Sequence, residues 1–210
     1  MPEGRFSGAM TDYIQYATGC LGNQKLDFEL TEYNSYEEET KALQSDEIDM
    51  IFHFSQNLDT AEEYHFAFTN TAWTYNLMAV TNKTSFNENE SNRIAVPKDD
   101  LPLEKHIEYY YPQWEIVECD SVDDAANLVI KKHADGFVTG VASASDYSEK
   151  YNLYSLPLSN PEKSAFAVKC GNHYLLSILN KTIKAMPSNM LTSAIAMYES
   201  TPGKVTLANL

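Results

Sequence analysis

Residues 114–138 read WEIVECDSVDDAANLVIKKHADGFV and contain a strand, a helix and a second strand in that order. The first six residues are mostly apolar, which is typical of a strand. Asp120 and Ser121 can cap a helix, because side-chain oxygens at its start accept bonds from free backbone N–H groups. The next apolar residues recur at the spacing of one helix face: Val122, Ala125, Ala126, Val129 and Ile130. ADGFV at 134–138 is the second strand.

The same alternation extends through the chain. Further strands are predicted at 26–33, 48–54, 75–80, 93–96 and 164–168. Further helices are predicted at 9–20, 35–44, 103–111, 141–150, around 175–186 and at 189–198. Ser35 is predicted to cap the second of these, with Glu38 three residues later completing a capping box. Strands that alternate with helices predict an α/β fold with mostly parallel sheets. The segment 81–92, rich in Asn, Ser, Thr and Glu, is predicted to link two units.

Composition excludes several classes of partner. The 210 residues include 30 acidic and 15 basic side chains, for a net charge of -15. Nucleic acids and anionic membrane surfaces attract basic proteins, so neither is expected to bind this chain. An apolar fraction of 43% is ample for a folded core. No apolar run reaches the roughly 18 residues that a membrane span needs.

Metal and cofactor sites are not indicated. Cys20, Cys119 and Cys170 lie far apart and form no CxxC pattern, so they are interpreted as small buried residues. The five histidines show neither HxxxH nor HExxH spacing. We therefore predict no metal and no cofactor.

Charge is distributed unevenly along the chain. Residues 1–80 hold 14 acidic and 3 basic side chains, whereas residues 166–210 hold 1 acidic and 4 basic ones. Opposite net charges favour packing of this basic tail on the acidic first segment.

Several segments are similar, in order, to one known family. GRFSGAMTDYI (4–14) is similar to its aromatic-x-Gly-x-x-x-Asp opening, with Phe6, Gly8 and Asp12 in register. SDEIDMIFHFS, DTAEEYHFAFT and YNLMAV are similar to its small-lobe and outgoing hinge segments. RIAVPKDD, the 114–138 stretch and SAFAVKCGNHYLLSILNKTIKAMP are similar to its second-lobe and return segments. The chain thus resembles the type 2 periplasmic solute-binding proteins, which bind amino acids and other small solutes in bacteria.

This resemblance implies a two-lobe fold, each lobe a mostly parallel sheet flanked by helices, joined by two hinge strands. Lobe 1 would comprise residues 1–80 plus 168–210, and lobe 2 residues 83–165. The ligand would bind in the cleft, where strands end and helices begin.

One departure from the family concerns its first strand. Members begin with a strand before the aromatic-Gly motif, and residues 1–5 leave no room for it. Either the first lobe lacks this strand or another segment replaces it, with KVTL at 204–207 as a candidate. Loss of the strand when the chain was cut from a longer protein is the alternative.

A second departure concerns the anchors of amino-acid ligands. The Arg that clamps the ligand carboxylate in amino-acid binders aligns with Glu62, and the Asp that receives the ammonium aligns with Gly140. No Arg lies between Arg5 and Arg93, and Lys41 and Lys98 are the nearby cations. An ordinary free α-amino acid is therefore not expected as the ligand. A cationic, neutral or aromatic-stacked solute fits better, or the cleft binds nothing and serves as a protein-contact module.

The resemblance and the strand ends together nominate a set of ligand-binding residues. For the aromatic candidates the alternative is packing in the core, and for the polar ones it is an ordinary turn. For Lys98 and Asp99, which precede a helix, the alternative is a simple helix cap by Asp99 or Asp100. The set is Phe6, Phe54, Ser55, Gln56, Glu62, Trp73, Tyr75, Lys98, Asp99, Thr139 and Gly140.

Two functions follow as hypotheses. The first is an extracytoplasmic solute-sensing domain, membrane-anchored in the full-length protein and coupled to a downstream signalling domain. The alternative is the solute-binding component of an uptake transporter, with a permease as partner. Enzymatic activity is not expected. The related dehydratases need an acid/base pair and a carboxylate-binding Arg, and no Arg lies between Arg5 and Arg93.

Overall fold

The computed structural model describes residues 5–20 and 27–199, with backbone only at 5–7 and 196–199. The described residues divide into two compact units. The first unit is formed by the residues up to Thr74 together with those from Lys163 onward, and the second by Tyr75–Glu162. The chain therefore crosses between the units twice, at positions 74/75 and 162/163.

The helices are α1 (Arg5–Cys20), α2 (Tyr36–Gln44), α3 (Leu58–Tyr64), α4 (Leu101–Tyr110), α5 (Val122–Ile130), α6 (Val141–Tyr151), α7 (His173–Ala185) and α8 (Met190–Glu199). The strands are β1 (Met50–Ser55), β2 (Phe66–Phe68), β3 (Trp73–Tyr75), β4 (Leu77–Thr81), β5 (Arg93–Pro97), β6 (Glu115–Cys119), β7 (Gly136–Gly140), β8 (Tyr154–Pro157) and β9 (Glu162–Lys169). Strands alternate with helices from β5 to α6, as the pattern predicts, whereas β2 to β5 follow one another without a helix and α3, β2, β3 and β8 were not predicted.

In the first unit, the sheet is built around the returning strand β9. β1 and β2 lie on opposite sides of β9, both antiparallel to it, and β3 also pairs with β9. Met50 is opposite Val168 and Phe66 is opposite Lys169. The expectation of a mostly parallel sheet is wrong for these strands, because β9 runs back between the outgoing strands and separates them.

In the second unit, five strands are ordered β6-β5-β7-β4-β8. β5 is parallel to β6 and to β7, whereas β4 is antiparallel to β7 and to β8. The strand–helix–strand stretch quoted above supplies β6, α5 and β7, which flank β5. Parallel pairing is therefore confined to one half of this sheet.

Two caps explain where helices begin. Ser35 Oγ accepts a hydrogen bond from Glu38 N, and the Glu38 carboxylate in turn accepts one from Asn34 N. Ser121 Oγ accepts from Asp124 N in the same way at the start of α5. Both predicted caps are confirmed, and each satisfies a backbone donor that the helix itself leaves free.

Two sequence predictions about local structure are wrong. Residues 27–33 form no strand despite their alternation, and Leu30 is 57% exposed. Alternation alone does not make a strand, because a strand also needs a neighbour to pair with. The segment 81–92 does not link the units but lies inside the second one, where Trp114 Nε1 donates to Glu88 O at 3.0 Å.

The basic end of the chain packs on the acidic beginning, as the charge distribution predicts. Within the first unit α8 packs against α1, and β9 pairs with β1. Lys169 forms an ion pair with Asp46. The proposed strand substitute at 204–207 lies outside the described residues.

The cysteines differ in their surroundings. Cys119 is buried, as expected, whereas Cys20 and Cys170 are exposed, so the interpretation as buried residues is wrong for these two. Among the described residues, no group of three or more His, Cys, Asp or Glu side chains is placed to hold a metal ion. None of the described helices is long and apolar enough to cross a membrane.

Candidate functional site

Phe54 and Ser55 lie at the end of β1 in the first unit. Phe54 is fully buried and packs against Tyr36 and Phe66, with ring centroids 5.9 Å from each. Ser55 is 2% exposed. Phe54 therefore packs in the core of the first unit, which is the alternative to ligand contact for an aromatic residue.

Gln56 uses both ends of its amide within the first unit. Its Nε2 donates to Thr69 O at 2.8 Å, and its Oε1 accepts from Thr71 Oγ1 at 2.6 Å. These bonds brace the loop before β3 against the end of β1. Gln56 thus has a structural role in the first unit, as one donor and one acceptor site of its amide are already used.

The Thr69–Asn70 turn is satisfied in the same way. Thr69 Oγ1 donates to Asn70 O at 2.9 Å and accepts from Phe166 N at 3.0 Å. Asn180 of α7 accepts from Asn70 N at 2.6 Å. Sequence analysis nominated none of these four residues, because Phe166 and Asn180 lie far from the turn in sequence.

Glu62 and Leu58 lie on the short helix α3. The Glu62 side chain is exposed, and Leu58 at the start of the helix is 71% exposed. Asn57 caps the helix, with its Oδ1 accepting from Thr60 N at 2.8 Å. This short helix therefore presents an exposed acid and an exposed apolar side chain in the first unit.

Trp73 belongs to an aromatic cluster of the first unit. It is 3% exposed and lies 5.7 Å from both Phe52 and His53 between ring centroids. His53 Nε2 is 2.7 Å from the Tyr36 hydroxyl. The Phe6 side chain is not among those described, although its backbone lies in α1.

Tyr75, Lys98 and Asp99 lie in the second unit. Tyr75 is half-buried against the core formed by β4, β5, β7 and α4. Lys98 Nζ lies 3.0 Å from Asp120, and this hydrogen bond raises the pKa of the lysine. The cap of α4 is Asp100, whose Oδ1 accepts from Leu103 N, so exposed Asp99 does not fill that role.

Thr139 and Gly140 end β7, and Val141 begins α6. Thr139 is paired with Met78, and buried Gly140 with Leu77. Val141 is 53% exposed, and no side chain caps α6. This strand end thus has no side-chain cap at the start of α6 and presents an exposed aliphatic side chain.

A buried polar pair in the second unit escaped sequence analysis. His106 of α4 and Glu162 at the start of β9 are 1% and 3% exposed, and His106 Nδ1 lies 2.5 Å from Glu162 Oε2. No motif spacing links two residues so distant in sequence. Only the fold of the second unit brings His106 and Glu162 together.

Comparison with known proteins identifies the fold. No family model matches the chain. The periplasmic VFT2 domain of Bordetella pertussis BvgS is 26% identical, with a TM-score of 0.68 over 91% of this chain and 83% of that one. The chain has the two-lobe fold of the type 2 periplasmic solute-binding proteins. The predicted fold class and the predicted resemblance are thereby confirmed.

Two further solved structures share this fold. The substrate-binding protein of an amino acid ABC transporter is 20% identical, with a TM-score of 0.61 over 91% of this chain and 87% of that one. A histidine kinase sensor domain with similarity to periplasmic binding proteins is 16% identical, with a TM-score of 0.63 over 91% and 85% of the two chains. At this identity the likeness concerns the fold alone.

The sequence relatives are virulence sensor proteins named BvgS. Those of Bordetella pertussis and Bordetella bronchiseptica are 26% identical to the chain over 212 aligned residues, which cover 95% of it. The chain spans only 16% of the length of these relatives.

Proposed function

We propose that this chain is an extracytoplasmic sensor domain that binds a small solute and signals through a longer membrane-anchored protein. The observation that carries the proposal is the similarity to the BvgS virulence sensor proteins across 95% of the chain. The matching structure is named a periplasmic VFT2 domain. That similarity is spread over both units, so it supports a whole sensing domain rather than one shared segment.

The signal is a shift in population between arrangements of the two units. A solute moves such an equilibrium only by the difference in its affinity for the two arrangements. The chain divides into two compact units at 74/75 and 162/163, and it is the balance between arrangements of these units that the solute shifts.

The solute is not an ordinary α-amino acid. Glu62 is exposed at the position of the carboxylate clamp, and Gly140 stands where the ammonium acceptor is expected. Lys98 is already paired with Asp120, and Lys41 with Glu37 at 2.6 Å. A neutral, cationic or aromatic solute meets no such obstacle.

An uptake role is the second candidate, and the shared fold of the amino acid ABC transporter protein favours it. An enzymatic role is not proposed, although an ancestral amino-acid-binding protein described as a precursor of cyclohexadienyl dehydratase shares the fold at a TM-score of 0.62. The chain has no Arg between Arg5 and Arg93, where the related dehydratases would need one to hold a carboxylate.

A thermal-shift screen tests the proposal. Purified chain is heated with amino acids, polyamines, sugars, nucleosides and small aromatic compounds at millimolar concentration. A solute that binds the folded state raises the melting temperature. We expect a response from a neutral, cationic or aromatic compound that is not an α-amino acid, and none from the α-amino acids. A response to α-amino acids alone would contradict the proposed solute class.

A further inference from the structure

A basic patch lies on the second unit, at the edge of its sheet where β5 and β7 begin. Arg93 is the first residue of β5, and its Nη2 donates to Lys132 O in the turn between α5 and β7 at 3.2 Å. Arg93 Nε and Lys83 Nζ lie 3.2 Å and 3.0 Å from the two carboxylate oxygens of Asp135. These contacts join three segments of the chain into one surface. The patch comprises Lys83, Arg93, Lys131, Lys132 and His133.

Few carboxylates balance the charge of this patch. Four of the seven Lys and Arg side chains of the second unit belong to it. The four share Asp135, and neither Lys131 nor Lys132 forms an ion pair with any described residue. Even with exposed Glu115, which is opposite Arg93 on β6, the local charge stays positive in a chain of net charge -15. The other three cations of the unit each have an acidic partner of their own: Lys98 with Asp120, Lys105 with Glu108 and Lys150 with Asp123.

The turn after α5 has a lysine where glycine is the usual residue. Lys132 has a φ of 61°, and its N–H donates to Val129 O at 3.1 Å to close the helix. Glycine adopts this left-handed conformation without the steric cost that a lysine incurs. Cations at the end of a helix interact favourably with its dipole, which accounts for Lys131 and Lys132 but not for Lys83 and Arg93 on other segments. Helix capping therefore does not explain the whole patch.

The patch lies away from the strand ends that were nominated for ligand binding. Thr139 and Gly140 end β7, whereas the patch lies where this strand begins. The acidic residues of α5, Asp123 and Asp124, are in its first turn, at the opposite end of the helix from the patch. Exposed lysines are point charges on flexible stems, and they suit a broad acidic surface better than a small solute enclosed in a pocket.

The first unit carries a matching acidic surface on α3, formed by Leu58, Asp59, Glu62 and Glu63. The three acidic side chains are exposed and follow the i, i+3, i+4 spacing of one helix face, and α3 contains no basic residue. Leu58 beside them is 71% exposed, and Ile130 beside the basic patch is 44% exposed. Each surface thus combines several charges of one sign with one exposed aliphatic side chain.

We propose that the basic patch of one copy of this chain binds the acidic α3 surface of a second copy. The contact joins two different surfaces, so its repetition builds a ring or an open row of copies. Each copy has a net charge of -15, but salt screens charges beyond about 8 Å at physiological ionic strength, so the groups in contact decide whether the copies associate. The proposal goes beyond the proposed function, since it concerns a protein surface and not the solute.

Sedimentation velocity of the purified chain, over a concentration series up to millimolar, tests the proposal. The wild type is expected to associate at physiological ionic strength and to be monomeric at about 1 M salt, where the screening length falls to about 3 Å. The patch variant, Lys131→Glu with Lys132→Glu, is expected to associate about tenfold more weakly, because attractive charge pairs become repulsive. The α3 variant, Glu62→Lys with Glu63→Lys, is expected to lose association to the same extent.

A mixture of these two variants separates the proposed contact from a loss of folding. The mixture is expected to associate at a concentration where neither variant does so alone, because the intact patch of one meets the intact α3 of the other. Lys150→Glu with Lys181→Glu changes the net charge as much as the patch variant does, at exposed lysines elsewhere, and is expected to associate like the wild type.

Four results would overturn the proposal. They are a wild type that is monomeric at every concentration, association that persists at high salt, an equal loss in the Lys150→Glu and Lys181→Glu control, and a mixture that does not associate. Vesicles of anionic phospholipid test the competing partner. Binding of the wild type to them, with loss of that binding in the patch variant and no association between copies, would assign the patch to a membrane surface instead.

Discussion

Glu39 shows how one residue can make stability depend on pH. It lies half-buried in α2, and burial raises its pKa from 4.5 to about 7. Between these values the folded state keeps a proton that the unfolded state has lost. Stability therefore falls as pH rises through this window.

Glu39→Gln removes this pH dependence. We expect the variant to match the wild type near pH 4 and to be more stable by about 2 kcal/mol near pH 8, because the amide carries no charge to desolvate. Urea unfolding at the two pH values measures the difference. Glu32→Gln at an exposed position is the control, and an equal gain there, or no gain at Glu39, would contradict the account.

Replacing one partner of the His106–Glu162 pair is expected to lower the free energy of unfolding more than replacing both partners by Leu. Glu162→Ala is expected to lower the free energy of unfolding by about 3–5 kcal/mol, since it leaves His106 buried without its partner. The His106→Leu and Glu162→Leu combination is expected to lie within about 1 kcal/mol of the wild type. Urea unfolding followed by circular dichroism compares the two. A double variant less stable than Glu162→Ala would show that the pair itself supplies net stability.

At the residue scale, sequence analysis could nominate side chains but not their partners. Gln56 was predicted as a ligand contact because it follows a strand, yet Thr69 and Thr71 already occupy its amide. The absence of an Arg between Arg5 and Arg93 could be seen in the sequence itself, because it does not depend on how the chain folds. The His106–Glu162 pair needed the fold, since tertiary packing alone brings these residues together.

At the scale of elements, the attachment of α1 depends on Tyr13. This side chain is fully buried, packs on Phe166 with ring centroids 4.6 Å apart, and lies 2.7 Å from Thr182 Oγ1. Thr182 Oγ1 itself donates to Leu179 O, so the Tyr13 hydroxyl is the donor to it. Burial raises the pKa of Tyr13 to about 12, which keeps that donor proton in place at neutral pH.

Substitutions at Tyr13 separate the packing from the hydrogen bond. Tyr13→Phe is expected to cost about 1 kcal/mol of stability, because only the bond is lost. Tyr13→Ala is expected to cost about 3–5 kcal/mol, because a cavity opens in the core of the first unit. The control is Tyr16→Phe, also on α1, which removes a more exposed hydrogen bond to Ala185 O of α7. It should lower the free energy of unfolding by about 0.5 kcal/mol or less. Denaturant unfolding measures all three, and equal costs for Tyr13→Phe and Tyr13→Ala would contradict the packing role.

Elements with local signals were predictable, and those that depend on neighbours were not. The caps at Ser35 and Ser121 placed α2 and α5 correctly, because a cap bonds within its own turn. Residues 27–33 were misjudged because strand formation depends on a partner elsewhere. The antiparallel pairing of β9 was likewise missed, since strand direction in a sheet is a property of topology.

At the scale of the whole molecule, the resemblance to solute-binding proteins predicted a discontinuous first unit and a continuous second one. The expected boundaries fell near residues 80 and 168, whereas the structure divides the chain at 74/75 and 162/163. β4 accounts for the difference at the first crossing, because it pairs with β7 and β8 and so belongs to the second unit. Segment order revealed the architecture, and pairing decided where each unit ends.

The central claim is that a small solute shifts the balance between arrangements of the two units. The most direct measurement is a spin-label distance by pulsed electron paramagnetic resonance, with and without a compound that raises the melting temperature. One label is placed on exposed Cys170 of the first unit and one on Lys131→Cys of the second, in a Cys20→Ser background. We expect the compound to change the distribution of spin-label distances in this otherwise wild-type chain. A compound that binds and stabilises the chain but leaves the distance distribution unchanged would contradict the sensing mechanism.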